Sequence, residues 1–329
     1  MAVLTPEGTA PLAPGRRVLL ACDEEQLDST LALRRVTAHL GDLSPVNPVD
    51  PEALVDSVDL ASGGAPPDAA LVCDDDVATA RLLDLGVPVV HLRSGHRAAP
   101  DGATAGGAAA AAATADRALR RLHRPGWLPG PWPSAAGARP TGALAPVRLT
   151  RNRVREGTLL LLSVWGVPGQ EADAFAAGPL RALVRAAVAR TGRCEVVCDT
   201  GLAPVRSALD GLADGVRVSR AAEVDVDALH AAADVFLAAP TLGALALAQA
   251  RRAPLVFLPP LGSAQRELAA RVAQVVPVPL ATDPGDPSLW VPPEAGGTGQ
   301  WSALDPALDD LRGAQRVART LRQLSLAPL

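Results

Sequence analysis

The sequence predicts an α/β protein built from two doubly wound, Rossmann-like domains facing across a cleft. Three observations carry this expectation. Short, wholly apolar runs recur along the chain, each is followed by a segment with helical spacing, and a Pro- and Gly-rich stretch near the middle divides the series in two. Apolar runs without alternation suit strands covered on both faces of a parallel sheet. Their alternation with helices is the pattern of that architecture.

The first run, Val18 to Cys22, ends in Asp23 and Glu24 and passes into LDSTLALRRVTAHLG, where Leu27, Leu31 and Leu40 return at roughly helical spacing. A strand over 69–73, a helix in ATARLLDLG closed by Gly86 and a strand over 87–92 continue the pattern. Ligands of such sheets meet the carboxyl ends of the strands. The polar residues there are Asp23 and Glu24, Asp74 to Asp76, and His91 with RSGHR through His96. Asp75 and Asp76 read as caps of the following helix. His91 reads as a structural group, whereas His96 sits in a loop just past a strand, where catalytic groups are presented.

An Ala run after Gly106 and Gly107 suits a packed helix or a compositional expansion. Arg120, Arg121, His123 and Arg124 then read as a solvated face at that helix's C-terminal end. Residues 127–146, WLPGPWPSAAGARPTGALAP, can form neither regular helix nor inner strand. They mark a linker between a first domain, 1–146, and a second, 147–329.

The second domain opens with a strand over 158–164, followed by Gly166, Pro168 and Gly169 before a helix toward Arg190. A Gly-containing turn there gathers backbone N–H groups and a helix N-terminus, which favours an anion such as a diphosphate. Its spacing is neither GxGxxG nor that of a P-loop. Further strands are expected in CEVVCDTG, in VRVSR ending at Arg220, at Val235 to Leu237 and in PLVFLP. The turn Pro240 to Gly243 leads into an Ala-rich helix over 244–252 almost free of charge, and GSAQRELAARV gives a loop and helix. Near the C-terminus, Leu304, Leu308, Leu311, Val317, Leu321 and Leu324 fall on one helical stripe, expected to pack back across the domain junction.

Composition excludes some function classes. Aromatics are 2% with no Tyr, and the formal net charge is -4, which argues against base-stacking platforms and phosphate-backbone binding, hence against nucleic acid. The four cysteines form no paired CxxC sets and read as buried reduced thiols. The opening residues lack the apolar core of a signal peptide, and no apolar run reaches membrane-spanning length, so a cytoplasmic protein is expected.

The stretch AADVFLAAPTLGALALAQARRAPLVFLPPLGSAQRELAARV resembles the C-terminal domain of nucleotide-sugar glycosyltransferases of the GT-B class, above all the branch that makes lipid II. Ala233, Asp234, Pro254, Pro259 and Gln265 hold matching places, and the resemblance spans roughly 158–280. The composition is similar to that of high-GC actinobacterial proteins, among them the CGA synthase-related group. The resemblance implies a nucleoside-diphosphate sugar held without metal or further cofactor. Ser163, Gly166 and Gly169, with Thr241, Leu242 and Gly243, would face the diphosphate, Arg220 would lie near the base and Gln265 near the sugar. It also implies inverting transfer to an unknown small-molecule or lipid acceptor on the first domain, with Asp28, Asp23 or His96 as base.

Two departures accompany it. Leu247 stands where the family carries a ribose-holding Glu, and CDEEQLDSTLAL replaces the family's Gly-rich, His-containing loop. They support a rival expectation: a catalytically degenerate GT-B-like protein acting as a partner, a regulatory subunit or a nucleotide-sugar sensor.

Overall fold

The computed structural model describes residues 16–46, 67–94, 117–130, 138–212, 214–290 and 299–326. The first sheet is all parallel, in the order β2-β1-β3-β4-β5-β6. Its strands are β1 (Arg17–Cys22), β2 (Ser44–Val46), β3 (Ala69–Cys73), β4 (Val89–Arg93), β5 (Leu119–Leu122) and β6 (Arg139–Pro140). The arginines expected on a helix lie instead in or just after β5, because Leu119 and Leu122 pair with Val90 and Arg93 of β4. Pro140 sits on the edge strand, where its missing N–H breaks no ladder. The stretch read as linker also buries Trp127 and Leu128.

Both faces of this sheet are covered. Leu19, Ala21, Ala70 and Val72 pack with Ala78 and Leu82 of α2 (Asp76–Asp84). Val18, Leu20, Leu71, Val90 and Leu92 pack with Ala32 and Val36 of α1 (Leu27–Thr37) and with residues from the far end of the chain. Asp75 caps α2, accepting from the Ala78 amide at 2.8 Å.

The second sheet is also parallel, in the order β11-β10-β7-β8-β9. It comprises β7 (Thr158–Leu162), β8 (Cys194–Cys198), β9 (Val216–Arg220), β10 (Val235–Ala238) and β11 (Val256–Phe257). After β7, α3 (Gly169–Phe175) runs through a π turn (Ala176–Leu180) into α4 (Arg181–Thr191). That wide turn takes Pro179, which has no N–H to give. Then come α5 (Leu202–Leu209), α6 (Val226–Ala232), α7 (Leu242–Ala250) and α8 (Gly262–Ala273). Residues 242–248 of α7 are all buried, so this helix is apolar on every side because it is covered on every side.

The last helix, α9, is Gly313–Leu324. It lies on α1, β3 and β4 of the first sheet, burying Ala314, Val317, Ala318 and Leu321. Leu304, Leu308 and Leu311 precede it and are not on its stripe; Leu311 has φ 60°.

Candidate functional site

The carboxyl ends of the strands in the two sheets are bridged by one helix. Along its length and its N-terminal approach, α1 meets the second domain. Trp165 Nε1 donates to Asp23 Oδ2 at 3.1 Å. Asp28 Oδ2 accepts from the Leu242 amide at 3.0 Å, and Oδ1 from the Gly243 amide at 2.7 Å. Arg34 donates to the carbonyls of Ala222 and Val224. Arg35 pairs with Asp227 at 2.8 Å and also donates to the Leu144 carbonyl at 2.8 Å.

Asp28 therefore closes the N-terminus of α7. Thr241 is the N-cap and accepts from the Ala244 amide, while Leu245 N donates to the Thr241 carbonyl. The free N–H groups of Leu242, Gly243 and Ala244 in the first turn are satisfied, two of them by an acid from the other domain. A Cβ on Gly243 would stand 2.6 Å from Leu31 Cδ1 and 3.0 Å from Asp28 Oδ1, so glycine is what lets the helices approach. The predicted anion turn is already occupied by a carboxylate. Asp28 is 3% exposed and does not face open space.

The other predicted turn is filled in a similar way. Asp199, at the end of β8, accepts from Ser163 Oγ at 2.5 Å, from the Val164 amide at 3.0 Å and from the Thr200 amide at 2.7 Å. Burial pushes its pKa up to about 6 in spite of those donors. Gln265 is buried and braces the same turn, giving Nε2 to the Ser163 carbonyl at 2.8 Å and taking the Leu261 amide at 3.0 Å. Glu171 accepts from the Gly262 amide at the start of α8 and pairs with Arg266.

The structure thus gathers Asp28, Thr241, Leu242 and Gly243 at one point, with Ser163 and Gln265 at a second. Gly166, at φ 67°, has open space where a Cβ would be, and Gly169 begins α3. Arg220 lies at the end of the outer strand β9. Burial raises the Asp23 pKa. His96 lies outside the described residues. Asp199 and Glu171 were not singled out from sequence. The available signal for Asp199 was an acid directly after a strand and two residues before Gly201.

Beyond α1's C-terminal half an open groove of about 630 Å³ separates the domains, lined by Leu31, Arg34, Val147, Arg148, Val224 and Arg251 among others. Among the described residues no cluster of His, Cys, Asp and Glu could hold a metal ion, and no helix is long and apolar enough to cross a membrane.

Solved structures of similar shape include the glycotransferase of kitacinnamycin, at 17% identity and TM-score 0.47, with 95% of this chain and 98% of that one covered. The spinosyn rhamnosyltransferase SpnG in complex with thymidine diphosphate aligns at 15% identity and TM-score 0.45, covering 94% and 96%. The glycosyltransferase SnogD from Streptomyces nogalater aligns at 16% and 0.44, covering 94% of each chain. No curated protein sequence matches. Residues 18–329 match the family of CGA synthase-related proteins, and the chain belongs to that family.

Proposed function

We propose that this chain is a GT-B-like protein whose donor site is closed by its own acids and which acts as a partner or regulatory subunit. The seating of Asp28 on the Leu242 and Gly243 amides carries this reading. A diphosphate needs those amides, and to reach them it must expel a carboxylate that is tethered, buried and charge-matched to the helix terminus. Leu247 supports the same reading. It is fully buried in the core cluster of the second domain and offers nothing to a ribose.

A partner needs a surface, and one stretch stands out. Of eight exposed large apolar side chains among the described residues, Val147, Leu149 and Val154 fall in one connection, between β6 and β7, with Arg148 and Arg153 among them. The four cysteines are free, and burial drives the thiols of Cys22, Cys194 and Cys198 up to about 12, which suits a protein of the reducing cytoplasm.

The second reading is an inverting, metal-independent transferase using a nucleoside-diphosphate sugar. The unobstructed Gly166 turn and, at the other end of α1, the open groove between the domains favour it. Calorimetric titration with UDP, TDP, GDP and their sugar conjugates separates the two. The partner reading expects no binding to the wild-type chain and binding only after Asp28→Ala. Micromolar binding to the wild type, lost in Gly166→Trp, would overturn it in favour of the transferase.

A further inference from the structure

Four side chains close a ring at the amino end of α1. Ser29 Oγ lies 2.7 Å from Asp74 Oδ2 and 2.5 Å from Gln26 Oε1. Gln26 Nε2 donates to Ser94 Oγ at 3.0 Å, and Ser94 Oγ lies 2.9 Å from Asp74 Oδ1. Each of these four contacts needs one hydrogen. The two serine hydroxyls supply one each. The Gln26 amide turns its oxygen to one serine and its NH₂ to the other, so it supplies one more whichever way it is flipped. The fourth hydrogen has to come from Asp74.

We infer that Asp74 is held as a neutral carboxylic acid, and that its ionisation is a pH-operated release for α1 and for the Asp28 carboxylate seated on α7. The ring ties Gln26 and Ser29, which flank Asp28, to the ends of β3 and β4. With Asp74 ionised, one of the four contacts becomes two oxygens with no proton between them, whichever way the amide turns. The first turn of α1 must then shift or admit water, and Asp28 moves with it.

The backbone supports a held position. Asp74 has φ 53°, a left-handed conformation that aspartate tolerates better than most residues, and its N–H is tied to the Leu92 carbonyl at 3.0 Å. The groups facing it are Asp28 and Ser29 from α1, Cys22 from the end of β1, Cys73 from β3, and Ser94 just past β4, whose backbone amide also donates to Asp74 Oδ1 at 2.8 Å. Burial pushes Asp74 up to about 7 against the Ser29 and Ser94 donors, and the Asp28 charge adds to the rise. Cys22, driven to about 12, and Cys73, driven well above its ordinary value, remain neutral across that range.

The inference rests on the ring and not on the proposed partner role, since a transferase would be opened by the same release. The test is amide hydrogen exchange on the full chain from pH 5.5 to 8.5. Leu242 and Gly243 are compared with Ala244, whose amide Thr241 caps within the same turn. Protection of the first two relative to Ala244 is expected to fall about tenfold or more as pH rises in the wild type, and to stay constant in Asp74→Asn, whose amide supplies the fourth hydrogen at every pH. A flat wild-type profile, or the same fall in Asp74→Asn, would overturn the inference. The Asp74 carboxyl ¹³C shift of the wild-type chain tests it without any variant. A midpoint near 7 is expected, and a carboxyl already ionised at pH 5 refutes it.

Discussion

Asp28 Oδ1 lies 2.7 Å from the Gly243 amide, so an acid of the first domain terminates a helix of the second. Removing it leaves two buried N–H groups without partners. Asp28→Ala is expected to destabilise the chain by about 2–5 kcal/mol, and Asp28→Asn, which keeps one acceptor oxygen, by less. Urea unfolding of the three proteins measures both, and equal midpoints would show that the contact contributes nothing.

Gly243→Ala tests the close approach of the helices from the other side. Its Cβ would stand 2.6 Å from Leu31 Cδ1, and overpacking of that kind costs about 1–3 kcal/mol. Leu31→Ala removes the obstructing atom. The double variant should therefore be more stable than the sum of the single losses predicts, a coupling that a double-mutant cycle reads directly.

Restoring the carboxylate that the resemblance implies should fail. Leu247 is fully buried in an apolar cluster, and a Glu placed there has no partner. Leu247→Glu is expected to cost several kcal/mol without creating nucleotide affinity. A stable variant that binds UDP would contradict both halves of that expectation.

Asp199 gives a pH dependence of known sign. Its folded-state pKa of about 6 stands above the ordinary 3.8, so the folded chain holds a proton that the unfolded chain has lost between those values. The stability tied to that proton is fully present below pH 3.8, falls as pH rises, and is gone above about 6. The loss amounts to about 3 kcal/mol. The stability of wild type relative to Asp199→Asn should fall by most of that from pH 4 to 7, and a constant difference would remove Asp199 as the source.

The short edge strands β2 (SPV) and β6 (RP) carry no long apolar run, whereas strands such as β1 and β7 were readable because VLLAC and TLLLL are apolar runs long enough to be covered on two faces. β5 was not, since LRRL carries its two arginines between the leucines that pair with β4. The turns around Thr241 and Ser163 gather backbone amides on the carboxylates of Asp28 and Asp199. What fills them was hidden, because Asp28 and Gly243 are 215 positions apart in the chain. Asp28 drew attention as an acid on a first-domain helix, and nothing local in LDSTLAL distinguishes a base from a cap. Asp74 was hidden likewise, since its ring draws on three separated segments.

The position of α9 sets the order in which this chain can be completed during synthesis. Val317 and Leu321 fill the core of the first sheet, although they are synthesised after every strand of the second. The second domain, whose strands end at Phe257, can close while the first still lacks one wall. The usual N-to-C sequence of domain completion is thereby inverted. A chain stalled or cleaved before Gly313 would carry a finished second domain beside an open, apolar first one, and aggregation from that face is the form its failure should take.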